Sequence, residues 1–311
     1  MNKEIIKTPS GETIYQYNFD NLVELVDYVS DSNINSRIFN ANNLSSNGKD
    51  YDWYKTNSFD DSLELCLKGE EALDNLFNES NLELSKVFPF LSQKRNIVTS
   101  YYGHRPNVSR YLTSNPRCMY KLERNEAYNF VDIHYNVCAS SISSTNSILN
   151  RGIILINVIK FLESLGYRVR LNFFELCKEG DEYFYASVNL KRLEERISPS
   201  ICYFPMCNPS FLRRILFRLK ESTEFKLDGW SDSYGSVLNL YQLNNVCENL
   251  LNFNMDKSIL IGNPSDINVS GKDLLVDTIS FIENIELNKY LGQNQLNYDE
   301  NSKSFILRRK R

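Results

Sequence analysis

Asn136, Cys138 and Ser140 fall at alternate positions of the segment YNVCASS, and Asp266 lies in NPSDIN, so two short segments offer oxygen and sulfur atoms suited to a cation or a polar partner. Only Asp266 carries a carboxylate, and charge is what retains Mg²⁺, so the set is a weak complement for that ion and no cofactor is expected. A nucleophile needs a base within hydrogen-bond reach. His134 and Cys138 are four residues apart, which on one strand puts them roughly 13 Å apart and forbids a dyad. With only two histidines, His104 and His134, a histidine-rich metal centre is nearly excluded by inventory. Neither GxxxxGK[ST] nor GxGxxG occurs, so a conventional phosphate-cradling loop is absent from the sequence.

Cations supply a second chemistry. Arg168 and Arg170 alternate in YRVRLNFFEL, Arg213, Arg214, Arg218 and Lys220 cluster in NPSFLRRILFRLKES, and Arg308 and Arg309 open the terminal RRKR. Together they suggest a nucleic-acid surface, against which stands a formal charge of −4. An open ferredoxin-like sheet with Tyr183 and Tyr185 exposed beside the arginines would suit stacking on single-stranded RNA. The other reading is a covered polar sheet face on which Asp132 pairs with Arg168 or Arg170.

The elements that must position these groups follow from periodicity. FVDIHYNV alternates apolar and polar residues with period two, which predicts a strand with one polar face. SILNRGIILINVIKFLESLG is apolar on nearly every side and closed by Gly166, as for a buried helix with a C-terminal glycine cap. YRVRLNFFEL and YFYASVNL, joined by CKEGDE, read as two strands linked by a turn. NPSFLRRILFRLKES has Asn208 as N-cap and Leu212, Ile215, Leu216 and Leu219 facing inward. NLYQLNNVCENLLNF, SILIG and LLVDTISFIENIELNKYL continue as helix, strand and helix.

Alternation of this kind predicts a Rossmann-like α/β unit over residues 129–292, a largely parallel sheet flanked by helices. In such sheets functional loops gather at the carboxyl ends of the strands, so the tips bearing Asn136 and Asp266 should be neighbours. Residues 1–128 read as a helical and irregular accessory region, with Ser58 starting a helix and SYYGHRPNVSRYLTSNPRCMYKLER an ordered, breaker-rich connection. Residues 293–311 read as a polar, mobile or partner-ordered tail.

Hydrophobic residues at 42% and charged residues at 24% are those of a folded globular chain. The N-terminal residues lack the apolar core of a signal peptide, and no apolar run approaches a membrane span, so no membrane association is expected. Seven cysteines without a CxxC fit free thiols in a reducing cytoplasm.

The run from VDIHYNVCASS through RGIILINVIKFLESLGYRVRLNFFE to ILIGNPSDI resembles the von Willebrand factor A-type domain. In that family the first strand ends in Asp-x-Ser-x-Ser, which coordinates a metal with a later Asp. The matching positions are Asn136, Cys138 and Ser140, with Asp266 as the later acid, so the leading carboxylate and one hydroxyl are missing and the resemblance implies a fold whose metal site has degenerated. The family's third-loop Thr has no clear counterpart, and Ser233 in SDSYGSV is taken as its candidate. WYKTNSFDDSLEL, SYYGHRPNVSRYLTSNPRCM, the RGIILI segment and NPSFLRRILFR together resemble an uncharacterised family of tailed-phage proteins over most of residues 53–290. That resemblance implies a viral or prophage origin and carries no activity. The expected function is a phage-encoded, non-catalytic interaction module that binds a phage or host protein through the strand-end loops, in the host cytoplasm or on the virion. The alternatives are nucleic-acid binding by the cations above and metal-dependent hydrolysis at the same loops.

Overall fold

The computed structural model describes residues 1–8, 11–31, 54–69, 79, 84, 97–103, 105–122, 130–139, 143–225, 235–291 and 294–309. Its centre is a mixed sheet built around β6 (Phe130–Asn136), which pairs in parallel with β7 (Arg168–Glu179) on one side and with β10 (Ser258–Ile261) on the other. β7 turns at Gly180 and Asp181 into β8 (Glu182–Lys191), its antiparallel neighbour, as the CKEGDE turn predicts. A two-residue strand, β9 (Ser236–Val237), pairs with β7.

The sheet does not end there. β1 (Asn2–Lys7) and β2 (Thr13–Phe19) form a hairpin, and β2 lies parallel to β8, giving the order β1-β2-β8-β7-β6-β10. Residues expected to be helical or irregular therefore complete the central sheet. The reason is visible in TIYQYNF: Ile14 and Tyr17 are buried on opposite faces, a pattern too short to announce a strand without its partner β8.

One face of the sheet is covered by α4 (Thr145–Ser164), whose residues Gly152 to Ile159 are all buried because α5 (Pro199–Cys207) and α8 (Leu274–Asn284) pack on its far side. Its ends follow the sequence: Ser144 accepts a hydrogen bond from Ser147, and Gly166, at φ +92°, ends it with Tyr167 N–H donating to Leu162. α1 (Leu22–Ser30) and α2 (Phe59–Lys68), the latter capped by Ser58 as expected, extend this layer. The opposite face is covered by α7 (Leu240–Asn249) and Phe253.

Three further segments depart from expectation. α5 was not legible, because Pro205 stands inside it and its sequence has no amphipathic period. NPSFLRRILFRLKES is not one regular helix but a π-helical turn, Phe211–Leu216, running into α6 (Phe217–Glu221), although Asn208 does accept from Ser210 N–H at 2.9 Å. The tail forms a hairpin, β11 (Asn294–Asp299) with β12 (Ser304–Arg309), which buries Leu296 and Phe305 in the main core. Asn288 fastens it, donating to Leu296 O at 2.9 Å and accepting from Leu296 N–H at 2.6 Å.

Residues 97–122 fold as a separate small sheet: β3 (Ile97–Ser100), β4 (Arg105–Pro106) and β5 (Met119–Leu122), with α3 (Val108–Leu112) between the last two. No described helix is long and apolar enough to cross a membrane, and all seven cysteines are free thiols.

The close approach of α4 and α5 depends on Gly152, where a Cβ would come within 2.3 Å of Cys207 Sγ and 2.8 Å of Met206 O. Gly152→Ala is expected to lower stability by about 1–3 kcal/mol, the cost of overpacking exceeding the gain in helix propensity. Chemical denaturation at neutral pH checks this, and an unchanged midpoint would show that the two helices can separate freely.

Candidate functional site

The two tips singled out in the sequence do meet. β10 lies beside β6 in parallel register, with Ile261 opposite Tyr135, so Asn136 and the turn after Ile261 stand at the same end of the sheet. What joins them is Arg151, fully buried on α4. Its Nη1 donates to Asn136 O at 3.1 Å and to Gly262 O at 2.7 Å, and its guanidinium carbon lies 4.5 Å from the centre of the Tyr135 ring. The crevice at the carboxyl ends of β6 and β10, where such sheets usually receive ligands, thus holds a side chain of the protein itself.

Asp266 has a different task from metal ligation. Its carboxylate accepts from Asn263 Nδ2 at 2.7 Å and from the Leu240 backbone N–H, so it anchors the first turn of α7 and faces the positive end of that helix. Burial raises its pKa from the ordinary carboxylate value, while the hydrogen bonds and Arg151 pull the other way. Asn136 uses Oδ1 to accept from Cys138 N–H at 3.1 Å, closing its own turn, and its buried Nδ2 has no hydrogen-bond partner among the described residues. The Cys138 thiol donates to Leu176 O at 3.4 Å and is pushed far above the ordinary thiol range by burial. Such a thiol is protonated and unreactive at neutral pH. Ser140 and Ser233 lie outside the described residues, as does His104.

The small cavity lined by Tyr135, Ala139, Arg151, Met206 and Arg213 has a volume of about 10 Å³, room for at most about one water. Among the described residues no group of three or more His, Cys, Asp or Glu could hold a metal.

Three of the cations assigned to a nucleic-acid surface, Arg214, Arg218 and Lys220, are buried. Arg214 is fully buried, donating from Nε to Thr56 Oγ1 at 2.9 Å and from Nη2 to Thr56 O at 3.2 Å, and burial lowers its pKa. Arg218 is buried, and Arg213 is half-buried. Lys220 is buried 2.5 Å from Glu175, a carboxylate on the facing side of β7. Arg170 chelates Asp132 through two hydrogen bonds, Nε to Oδ1 at 2.9 Å and Nη2 to Oδ2 at 2.5 Å, which is one of the two pairings expected on the polar sheet face. Arg168 is half-buried, and Arg308 is exposed on β12, where Arg309 also lies. Tyr183 and Tyr185 are buried, so the open aromatic sheet is not formed.

Residues 3–287 match the model of a family described as Domain of unknown function (DUF7192). The chain belongs to the DUF7192 family. No curated protein and no solved structure matches it. The match spans the central sheet from β1 to α8 together with the small sheet, and stops short of the β11–β12 hairpin.

Sequence reasoning passed over Arg151 because it sits in an apolar helical run where a single cation looks like an exposed exception. Its signal was the position itself: a residue flanked by Ile148 and Leu155 at helical spacing faces the same buried side. Arg151→Met is expected to cost about 3 kcal/mol, because two charge-assisted hydrogen bonds are lost and two buried carbonyls are stranded. Arg151→Lys should recover only part of this. Urea midpoints of the three proteins check the order.

His134 gives a pH signature. It stacks on Phe253 at 4.1 Å between ring centres, its Nδ1 is buried without a hydrogen-bond partner among the described residues, and burial depresses its pKa to about 4, with Asp132 opposing and Arg170 reinforcing the shift. The unfolded chain takes up a proton near pH 6.5 whereas the folded one does not until about pH 4. This contribution to stability is therefore complete above pH 6.5 and is lost as pH falls through that window, by about 2 kcal/mol after allowance for partial solvent access. His134→Gln should remove that component from the difference between urea midpoints at neutral pH and near the lower limit.

Proposed function

We propose that this chain is a non-catalytic binding protein of phage or prophage origin, with a core of the von Willebrand A type, acting in the host cytoplasm or on the virion. Its contact surface is the rim around the carboxyl ends of β6 and β10, and its ligand is a protein. The observation that carries this reading is Tyr241, which is 82% exposed on the first turn of α7, directly beside the Leu240 amide held by Asp266. A large aromatic side chain held out to solvent on a fixed backbone is the kind of anchor that dominates protein interfaces.

The loop next to it is equally fixed. Asp277, fully buried on α8, accepts from Ser270 N–H at 2.7 Å, Ser270 Oγ at 3.0 Å, Gly271 N–H at 2.8 Å and Asn150 Nδ2 at 2.8 Å. Ser265, Asn268 and Ser270 are left exposed on this frame. Binding to such a rim loses little conformational entropy, since its backbone is already held in place. The phage setting is supported by the sequence resemblance over residues 53–290, and the A-type core by the parallel neighbours β6 and β10 with their tips together. Hydrolysis has no comparable support, because the Asp266 carboxylate, the Asn136 Oδ1 and the Cys138 thiol are engaged within the fold.

Affinity capture from infected or prophage-induced cells, with cross-linking, should recover a protein with the wild-type chain. Tyr241→Ala and Ser265→Arg are each expected to reduce recovery at least tenfold without moving the thermal midpoint, whereas Val276→Ala, at an exposed site on α8, should not. Equal recovery by all four proteins would remove this rim as the contact surface.

A further inference from the structure

The small sheet presents a second surface whose chemistry differs from that of the rest of the chain. Between Glu83 and Glu123 the sequence holds seven Lys and Arg residues and no Asp or Glu, in a chain whose formal charge is −4. Four of these cations, Arg105, Arg110, Arg117 and Lys121, belong to the folded module of β3, β4, α3 and β5. Segregation of charge on this scale is not needed to fold a three-stranded sheet, and like charges gathered together cost stability.

The module is also turned outward. Every described residue from 101 to 117 is exposed, apart from Asn107. Tyr101, Tyr102 and Tyr111 are 63%, 66% and 67% exposed. The rings of Tyr101 and Tyr102 lie against cations. The Arg117 guanidinium carbon lies 5.4 Å from the centre of the Tyr101 ring, Lys121 Nζ lies 4.3 Å from that of Tyr102 and donates to its hydroxyl at 2.7 Å, and Arg105 lies 5.6 Å from Tyr120. Asn107 steadies the arrangement by donating to the Tyr120 hydroxyl at 2.8 Å while capping α3. The exposed rings of Tyr101 and Tyr102 therefore each have a positive charge at one side and solvent at another, and Tyr111 adds a third exposed ring on α3.

We propose that this module binds single-stranded nucleic acid, stacking bases on Tyr101, Tyr102 and Tyr111 and pairing phosphates with Arg105, Arg110, Arg117 and Lys121. Three features favour this occupant. Aromatic faces next to cations match the alternation of base and phosphate along a strand. A module without acidic side chains repels no phosphate. A duplex hides the base faces that these rings would meet, so the ligand is a strand and not a helix. Val108 and Leu112 share one side of α3 with Tyr111 and are 63% and 76% exposed, which extends the apolar part of the platform. The surface is distinct from the tyrosine and loops of the strand-end rim, and neither reading depends on the other.

Fluorescence anisotropy of the full chain with labelled oligouridylate and oligothymidylate of about 20 nucleotides, at roughly 50 mM salt, tests the proposal. Saturable binding is expected, weakened at least tenfold by Arg110→Glu with Arg117→Glu and about fivefold or more by Tyr101→Ala with Tyr111→Ala. A duplex of equal length should bind at least tenfold more weakly, and the dependence of log affinity on log salt should be shallower in the arginine variant. The substituted side chains are exposed, and circular dichroism should be unchanged. Absence of binding to both oligonucleotides overturns the proposal, as does binding that survives both double variants. Equal affinity for duplex and strand, with no effect of the tyrosine variant, would reduce the surface to general attraction for polyanions and overturns the stacking claim. Self-association of the chain abolished by Leu112→Asp, without strand binding, would assign the module to a second copy and equally overturn it.

Discussion

The guanidinium of Arg151 ties the α/β layers together where the adjacent parallel strands β6 and β10 end. A parallel pair leaves its last carbonyls pointing in the same direction, and in the apolar interior each must find a donor. Arg151 supplies one nitrogen to the carbonyls of both Asn136 and Gly262, and Tyr135 supplies the ring against which the cation rests. A buried charge is costly unless it is satisfied in this way, so the register of β10 against β6, the placement of α4 and the course of the loop from Gly262 are all bound to one side chain. Asp266 and Asp277 carry the same constraint outward, the first to α7 and the second to the loop at Ser270 and Gly271.

Charge is used repeatedly as internal scaffolding. Lys220 meets Glu175 in the core, Lys191 meets Glu163 at 2.9 Å, and Arg214 is held by Thr56 under the ring of Tyr54. Cations consumed by such contacts cannot serve a polyanion. The basic helix that stands out in the sequence is thus largely withdrawn from the surface, whereas the exposed cations of the small sheet, individually unremarkable in the sequence, remain available. The distribution matters more than the count, because interaction with solvent and ligands scales with exposure.

A functional division follows. The strand-end crevice holds the Arg151 side chain, its thiol is held protonated, and the Asn136 Oδ1 and the Asp266 carboxylate accept hydrogen bonds from the fold. What remains at that end is shape: a fixed loop and a projecting tyrosine. At the small sheet the remaining resources are electrostatic and aromatic. Under the two proposals made above, the first surface offers shape and the second charge and aromatic faces.

Much of the architecture was legible from periodicity alone. The strand FVDIHYNV, the buried helix ending at Gly166, the β7–β8 turn, the Ser58 and Asn208 caps and the meeting of the Asn136 and Asp266 tips all follow from local patterns, because alternation, caps and turns are set by neighbours within a few residues. The pairing of Asp132 with Arg170 was foreseeable for the same reason, since adjacent parallel strands bring same-face residues together. Residues 2–19 could not be placed, because a strand at the margin of a sheet acquires its identity from β8, more than 160 positions away. Nor could the tail, whose Leu296 and Phe305 needed a core to enter. Which arginines were inside was decided only by packing: a guanidinium is stable in either environment provided its donors are met, and those partners, Asn136 and Gly262 for Arg151 and Thr56 for Arg214, lie far apart in the chain.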